Sequence, residues 1–221
     1  MGSSEDESNV RERLLRAATE VFARKGYKDA STREICRMAD ANGAAIHYYF
    51  GDKASLYREV FRPPERLTRL PPELTDPKAS LRAGLEAFFR QVLRPLTEPG
   101  VSPHLRLLVI REEVQPSGVL TARHSERFRP NHEALCRFLA RHCGVEAADL
   151  AIEHLAFSLA GMAVMLLIRR EAVDTLAPDL LRDPQAVEDA VQRLTQYGVA
   201  LVKSERRRRQ SPGGGKRGKG A

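Results

Sequence analysis

Apolar residues recur along this chain every three or four positions, and no segment alternates in the manner of a half-buried strand. Val10, Leu14, Ala17, Ala18, Val21 and Phe22 fall on one stripe, which predicts a first helix over 9–25. Ser8 is placed to cap its start and Gly26 to end it. A second helix is predicted over 32–39, with Ser31 and Glu34 at capping-box spacing and Ile35, Met38 and Ala39 as its apolar face. Asp40-Ala41-Asn42 reads as a tight turn, followed by a third helix over 43–49. Gly51-Asp52 breaks the chain again. Asp52 is placed to cap a fourth helix carrying Leu56, Tyr57, Val60 and Phe61, which Pro63-Pro64 ends or kinks.

Helical spacing continues over 78–93, 104–114, 128–142, 149–170 and 183–202, with breaks at proline- and glycine-rich turns and no internal repeat. The expected fold is all-α, with about nine helices. Four segments are expected: a disordered leader over 1–7, a three-helix DNA-binding domain over 8–53, a larger helical domain over 54–202, and a disordered basic tail over 203–221. The opening Met-Gly-Ser-Ser also resembles an expression-vector leader.

Charge changes the picture less than it first suggests. The net charge is +7, yet residues 203–221 alone carry eight basic side chains against one acidic, which accounts for all of it. Basicity therefore points to a polycationic tail, and any DNA contact by the folded part rests on local arrangement. The opening residues hold no apolar stretch of signal-peptide type. The longest apolar-rich segment, 155–168, is expected to be too short to span a bilayer, so no membrane association is expected and the location is expected to be cytoplasmic.

Chemistry-bearing motifs are sparse. There is no G-x-S-x-G, no glycine-rich phosphate loop and no H-E-x-x-H, so no catalytic residues are expected and the chain does not read as an enzyme. Cys36, Cys136 and Cys143 are three in number, which does not suit a disulfide framework; Cys136 and Cys143 read as small buried hydrophobes. His132 and Cys136 lie four apart, with Glu133, His142, Cys143 and His154 near in sequence. A metal or redox-sensing site can be built from such residues, but the spacing does not demand one, and no metal or cofactor is expected.

Three short helices with a tight turn between the second and third form a helix-turn-helix, whose third helix enters the major groove of DNA. Thr32 and Arg33 open the second helix, where free N–H groups, a hydroxyl and a cation suit a phosphate. Asn42 is placed to cap the third helix at the DNA surface, and Gly43, Ala44 and Ala45 are small enough for close approach to base edges and thymine methyls. His47, Tyr49 and Lys53 are placed to reach phosphates, with Tyr48 on the same helix, while Ile46 and Phe50 face inward.

Gly26-Tyr27, Ser31-Thr32-Arg33-Glu34-Ile35 and the run Ala44-Ala45-Ile46-His47-Tyr48-Tyr49-Phe50-Gly51-Asp52-Lys53-Ala54-Ser55-Leu56-Tyr57 together resemble the DNA-binding region of TetR-family transcriptional regulators. The resemblance implies DNA contacts at Thr32, Arg33, Asn42, Gly43, Ala45, His47, Tyr48, Tyr49 and Lys53. Asp40 stands where the family has a turn glycine, His47 and Tyr49 exchange the usual Tyr and His, and Ala45 replaces a common Thr. Arg111-Glu112-Glu113 with Pro116, and Arg129-Pro130 heading a long helix, are similar to the branch typified by CecR.

The family resemblance implies a homodimer on a pseudo-palindromic double-stranded operator, repression, and release by a small-molecule effector. The dimer is expected to form through the last two long helices, at Ala156, Leu159, Ala160, Ala163, Val187, Val191, Leu194 and Leu201. Candidate lining for the effector is Phe88, Phe89, Val92, Leu108, Arg111, Phe128, His132, Phe138, Met162 and Met165. The fourth helix would carry the effector's signal, with Pro63-Pro64 altering the lever. The alternative reading is sequence-tolerant DNA binding driven by the basic tail.

Overall fold

The computed structural model describes residues 3–62, 69–97, 103–120 and 129–211; Pro63, Pro64 and Phe128 lie outside them. Among the described residues there are helices and no strand, the all-α fold expected. They are α1 (Ser3–Asp29), α2 (Thr32–Met38), α3 (Ala45–Phe50), α4 (Lys53–Val60), α5 (Leu81–Leu93), α6 (Pro103–Val114), α7 (Arg129–Cys143), α8 (Leu150–Ile168), α9 (Arg170–Leu176) and α10 (Pro184–Gln210).

Two compact units result, and they do not divide as expected. The first takes residues 1–65 together with 99–125, and the second takes 66–98 together with 126–221. The division at 53/54 is therefore replaced: α4 and α6 both belong with α1 to α3. The reason is packing. Leu108 of α6 is fully buried among Leu14, Val21, Phe22, Tyr57 and Phe61, so α6 completes the core of the first unit.

The ends also differ from expectation. α1 starts at Ser3, so Ser8 lies within the helix and does not cap it, and the expected leader is helical from residue 3. At the other end α10 runs to Gln210, so 203–210 are helical too. Arg209 explains the ordering. Its Nη1 and Nη2 each donate to the Asp149 carboxylate at 2.8 Å, and its Nε donates to Glu205 Oε1 at 2.7 Å. Asp149 is at the same time the N-cap of α8, accepting from the Ile152 N–H at 3.0 Å.

In the second unit α10 lies along α5, with α7 and α8 closing the bundle. Ser80 caps α5, and Asp183 followed by Pro184 starts α10. The core is lined by Leu85, Phe89, Phe138, Leu139, Leu159 and Val191. Gly84 lets α5 approach α7: a Cβ there would overlap the ring of Phe138, which is itself fully buried and has nowhere to go.

Two consequences are measurable. Gly84→Ala gains helix propensity but forces a methyl into a filled core, so urea unfolding should show a loss of about 1–3 kcal/mol. Arg209 hydrogen bonds hold the Asp149 carboxyl well below the usual carboxylate range. Its contribution is thus fully present above the ordinary Asp pKa of about 3.9, and is lost as pH falls below that towards the lower folded value. Asp149→Asn should show a flatter acid limb of stability against pH than the parent chain.

Candidate nucleic-acid interface

The site begins with what holds α3, because six residues do not make a stable helix unaided. Ile46 and Ala45 are buried in the core of the unit, where α3 packs on α2 and α4, and tie the helix to it. Asn42 Oδ1 accepts from the Ala44 N–H at 2.9 Å, and the Asn42 carbonyl accepts from the Ala45 N–H at 2.9 Å, which shapes the turn into α3. Asp40 makes the tight turn with φ 48°, the left-handed conformation that Asp tolerates in place of glycine. At the far end Gly51 takes φ 82°, and its N–H donates to the His47 carbonyl at 3.0 Å. Asp52 then caps α4 by accepting from the Ser55 N–H at 2.6 Å, as its position in the sequence predicts.

Arg13, which the sequence reading did not single out, secures the turn from α1. Its Nε donates to the Ala39 carbonyl at 3.0 Å and its Nη2 to the Asp40 carbonyl at 3.2 Å. The expected capping box at α2 does not form. Ser31 makes no side-chain cap, and Glu34 instead accepts from Lys25 Nζ at 2.6 Å. The Lys25 cation holds the Glu34 carboxyl below its ordinary range.

Behind the helix-turn-helix stands an aromatic cluster. Tyr57 is buried, with its ring 4.8 Å from Phe22, 5.0 Å from Tyr27 and 5.0 Å from Phe61. Its hydroxyl donates to Glu112 Oε2 on α6 at 2.7 Å, and burial pushes the phenol well above its usual pKa. Arg111, next to it, donates from Nη1 to the Arg24 carbonyl at 3.0 Å. Its guanidinium lies where a Cβ on Gly26 would stand, 2.8 Å from Nε, and Gly26 itself has φ 78°. That glycine therefore both breaks α1 and admits Arg111.

The nine expected DNA-contact residues fall into two groups. Arg33, Asn42, Gly43, His47 and Tyr48 are exposed, and Thr32 is half-exposed. Tyr48 stands out at 72% exposed, its ring edge-on to Tyr49 at 4.8 Å. Gly43 faces open space. The other group is committed to the fold. Ala45 is buried, so its methyl holds α3 rather than facing a partner. Lys53 donates to the Lys28 carbonyl at 3.2 Å and lies over the Tyr27 ring at 4.7 Å, and partial burial lowers its pKa. Tyr49 is half-buried. His47 Nδ1 is 2.7 Å from the Gly51 carbonyl oxygen, which leaves the other edge of its ring open.

The expected effector residues are divided between the two units. Leu108 and Arg111 belong to the first; Phe88, Phe89, Val92, His132, Phe138, Met162 and Met165 belong to the second. Phe89 and Phe138 are buried core and Met165 is exposed, while Phe88, Val92 and Met162 are half-buried. A cavity of about 320 Å³ in the first unit is lined by Arg111 with Tyr27, Tyr57 and Ser117. In the second unit a wide, open hollow of about 730 Å³ lies beside Leu70, Arg90 and Arg94 and involves none of the expected residues.

The dimer expectation needs correction. Ala156, Leu159, Ala163, Val187, Val191 and Leu194 are buried in the core of their own unit, so they have no surface to offer a second copy. Ala160 is partly buried. Leu201 is the one that remains exposed, and with it Tyr197 on α10 and Leu150, Phe157 and Met165 on α8. α8, within the predicted 149–170, runs for 19 residues whose length and mean hydropathy match those of a membrane span, although Glu153 and His154 interrupt its apolar surface. Its Ile152, Leu155, Ala156, Leu159 and Ala163 face, however, is packed into the core.

A helix-turn-helix with an exposed, aromatic-bearing third helix defines a DNA-binding regulator class. Residues 14–60 match the family described as bacterial regulatory proteins, tetR family, and residues 81–202 match the C-terminal domain of the HTH-type transcriptional dual regulator CecR. The chain belongs to the TetR family of transcriptional regulators, in the branch with the CecR-type C-terminal domain. It is similar to CecR of Shigella flexneri, at 29% identity over 78% of this chain and 86% of that one. It is also similar to the transcriptional repressor NicS of Pseudomonas putida, at 34% identity over 33% of this chain and 37% of that one. Among solved structures, HlyIIR, a hemolysin II transcriptional regulator, shares the fold with TM-score 0.57 and 22% identity over 83% of this chain and 97% of that one. The fatty acid degradation regulator FadR of Bacillus halodurans shares it with TM-score 0.61 and 16% identity over 86% and 94%.

Proposed function

We propose that the chain binds a pseudo-palindromic operator as a homodimer and represses transcription until a small molecule releases it. The observation that carries the DNA reading is the outer side of α3. His47 and Tyr48 project from a helix whose inner side is engaged by the core, and Asn42 and Gly43 are exposed in the turn that leads into it, so the four are placed to meet base edges and phosphates. Arg33 adds an exposed cation beside them. The basic tail is the weaker candidate for the contact, because Arg208 and Arg209 are already paired with Glu205 and Asp149.

The second copy is proposed to cover the open stripe of α8 and α10. Leu150, Phe157 and Met165 recur about two turns apart on α8, and α10 adds the exposed Tyr197 and Leu201. Exposed apolar side chains at this density are typical of a buried two-fold interface. The two-fold axis then sets the half-site spacing on DNA. Phe88, Val92 and Met162 keep a free side in the second unit and are the proposed contacts for an apolar effector.

In-vitro selection from random DNA tests the first part. The expected product is a palindrome bound with salt-dependent affinity, and Tyr48→Ala should weaken it about tenfold or more with no change in urea midpoint. Selection of no motif, with binding lost on removal of 203–221, would overturn this reading in favour of the tail. Analytical ultracentrifugation tests the second: Phe157→Asp should shift a dimer to monomer with helicity retained, and a parent chain that sediments as a monomer rules the interface out.

A further inference from the structure

α7 and α8 bring a nitrogen, a sulfur and an oxygen donor to one place. His132 and Cys136 stand four residues apart on α7 and so share a face. Glu153 reaches them from the first turn of α8. His132 Nε2 is 2.6 Å from Glu153 Oε2 and 3.5 Å from Cys136 Sγ, and Sγ is 3.6 Å from the same carboxylate oxygen. Of the residues grouped by the sequence reading, His132 and Cys136 meet here. Glu133 turns away to pair with Arg137, and the third donor comes from Glu153, which sequence spacing did not single out.

We propose that His132, Cys136 and Glu153 form a binding site for one divalent d-block cation of borderline softness, of which zinc is the type. A tetrahedral zinc ion holds N and O ligands at about 2.0–2.2 Å and S at about 2.3 Å, which sets neighbouring ligand atoms roughly 3.3–3.8 Å apart. Both sulfur spacings already fall there. The His–Glu pair sits at hydrogen-bond distance and opens by about 1 Å once the proton between them is replaced by the ion. The donor set selects the metal class: an imidazole and a thiol suit zinc-like ions, whereas magnesium and calcium require mostly oxygen.

Burial is graded in the way such a site requires. Cys136 is 3% exposed and forms the floor. The side chains of His132 and Glu153 retain 31% and 42% exposure, so solvent reaches the ion and supplies the fourth ligand. Phe157, one turn along α8 from Glu153, packs on the His132 ring at 4.9 Å and orients it. Because the ligands come from two helices, the ion clamps α7 to α8. It does so beside Phe157 on the open stripe of α8, and ion occupancy thus bears on the same helix face that is proposed to pair.

The test is titration of the reduced, chelator-treated full chain with Co²⁺, a spectroscopic stand-in for zinc. One equivalent should bind with a thiolate-to-cobalt charge-transfer band in the near ultraviolet, displaced by Zn²⁺. Cys136→Ser should abolish the band, and Cys36→Ser and Cys143→Ser should leave it. His132→Gln and Glu153→Gln, at half-exposed positions that tolerate substitution, should each weaken Co²⁺ binding at least about tenfold, since even outer-sphere partners of metal ligands are worth that much. These two variants decide the question if Cys136→Ser fails to fold by circular dichroism. Absence of the band at stoichiometric Co²⁺, its survival in Cys136→Ser, or affinity unchanged in both Gln variants would overturn the site and leave a hydrogen-bonded trio. The readout needs no DNA, so its failure is distinguishable from failure of the operator reading.

Discussion

A helix of six residues has too few internal hydrogen bonds to offset the cost of starting it, so α3 exists only because the rest of its unit holds it. Ile46 and Ala45 bind it to the core, Asn42 shapes its start, and Gly51 closes its end. Arg13 fixes the carbonyls of the preceding turn from α1. Everything that keeps α3 in place therefore acts from its inner side or its ends. Of its exposed side chains, His47 helps close the C-terminal end through the Gly51 carbonyl, while Tyr48 stands in solvent outside the core. This division lets one scaffold present different recognition residues, and it suits the exchange of His47 and Tyr49 relative to the family pattern.

The support extends further along the chain than a three-helix domain would. Tyr57 sits at the centre of the aromatic cluster, and its buried hydroxyl requires a partner. Glu112 of α6 supplies it, and Glu112 is in turn satisfied by the Ser117 N–H and hydroxyl. Arg111 uses the space above Gly26 to donate to the Ala23 and Arg24 carbonyls, next to the break that Gly26 makes in α1. Leu108 fills the remaining hollow. α6 is thus a structural part of the DNA-binding unit although some forty residues separate it from α4.

In the second unit the governing fact is that α8 is apolar nearly all round. A helix of that kind must be covered on more than one side. Its Ile152–Ala163 stripe meets this within the protomer, while Leu150, Phe157 and Met165 do not. The buried thiols of the unit fit the same view of a tightly packed interior. Burial and the Glu153 carboxylate push the Cys136 thiol up to about 12, and burial also raises Cys143, so neither acts as a free nucleophile.

The periodic apolar stripes, the caps at Asp52 and Asp183 and the left-handed turn at Asp40 are local signals. They depend on residues within one or two turns of each other, and the sequence by itself therefore determined the helices, the helix-turn-helix and the family. Local signals also misled where competition was long-range. Glu34 bonds Lys25 rather than capping α2, and Arg209 finds Asp149 sixty residues away, which orders a stretch that composition alone marks as tail. Which face of α8 enters the core, to which unit α6 belongs, and that Glu153 meets His132 and Cys136 were decided only by the tertiary structure. Periodicity identifies an apolar face but not what covers it, and contacts between distant segments are set by the packing of whole helices rather than by the spacing within any one of them.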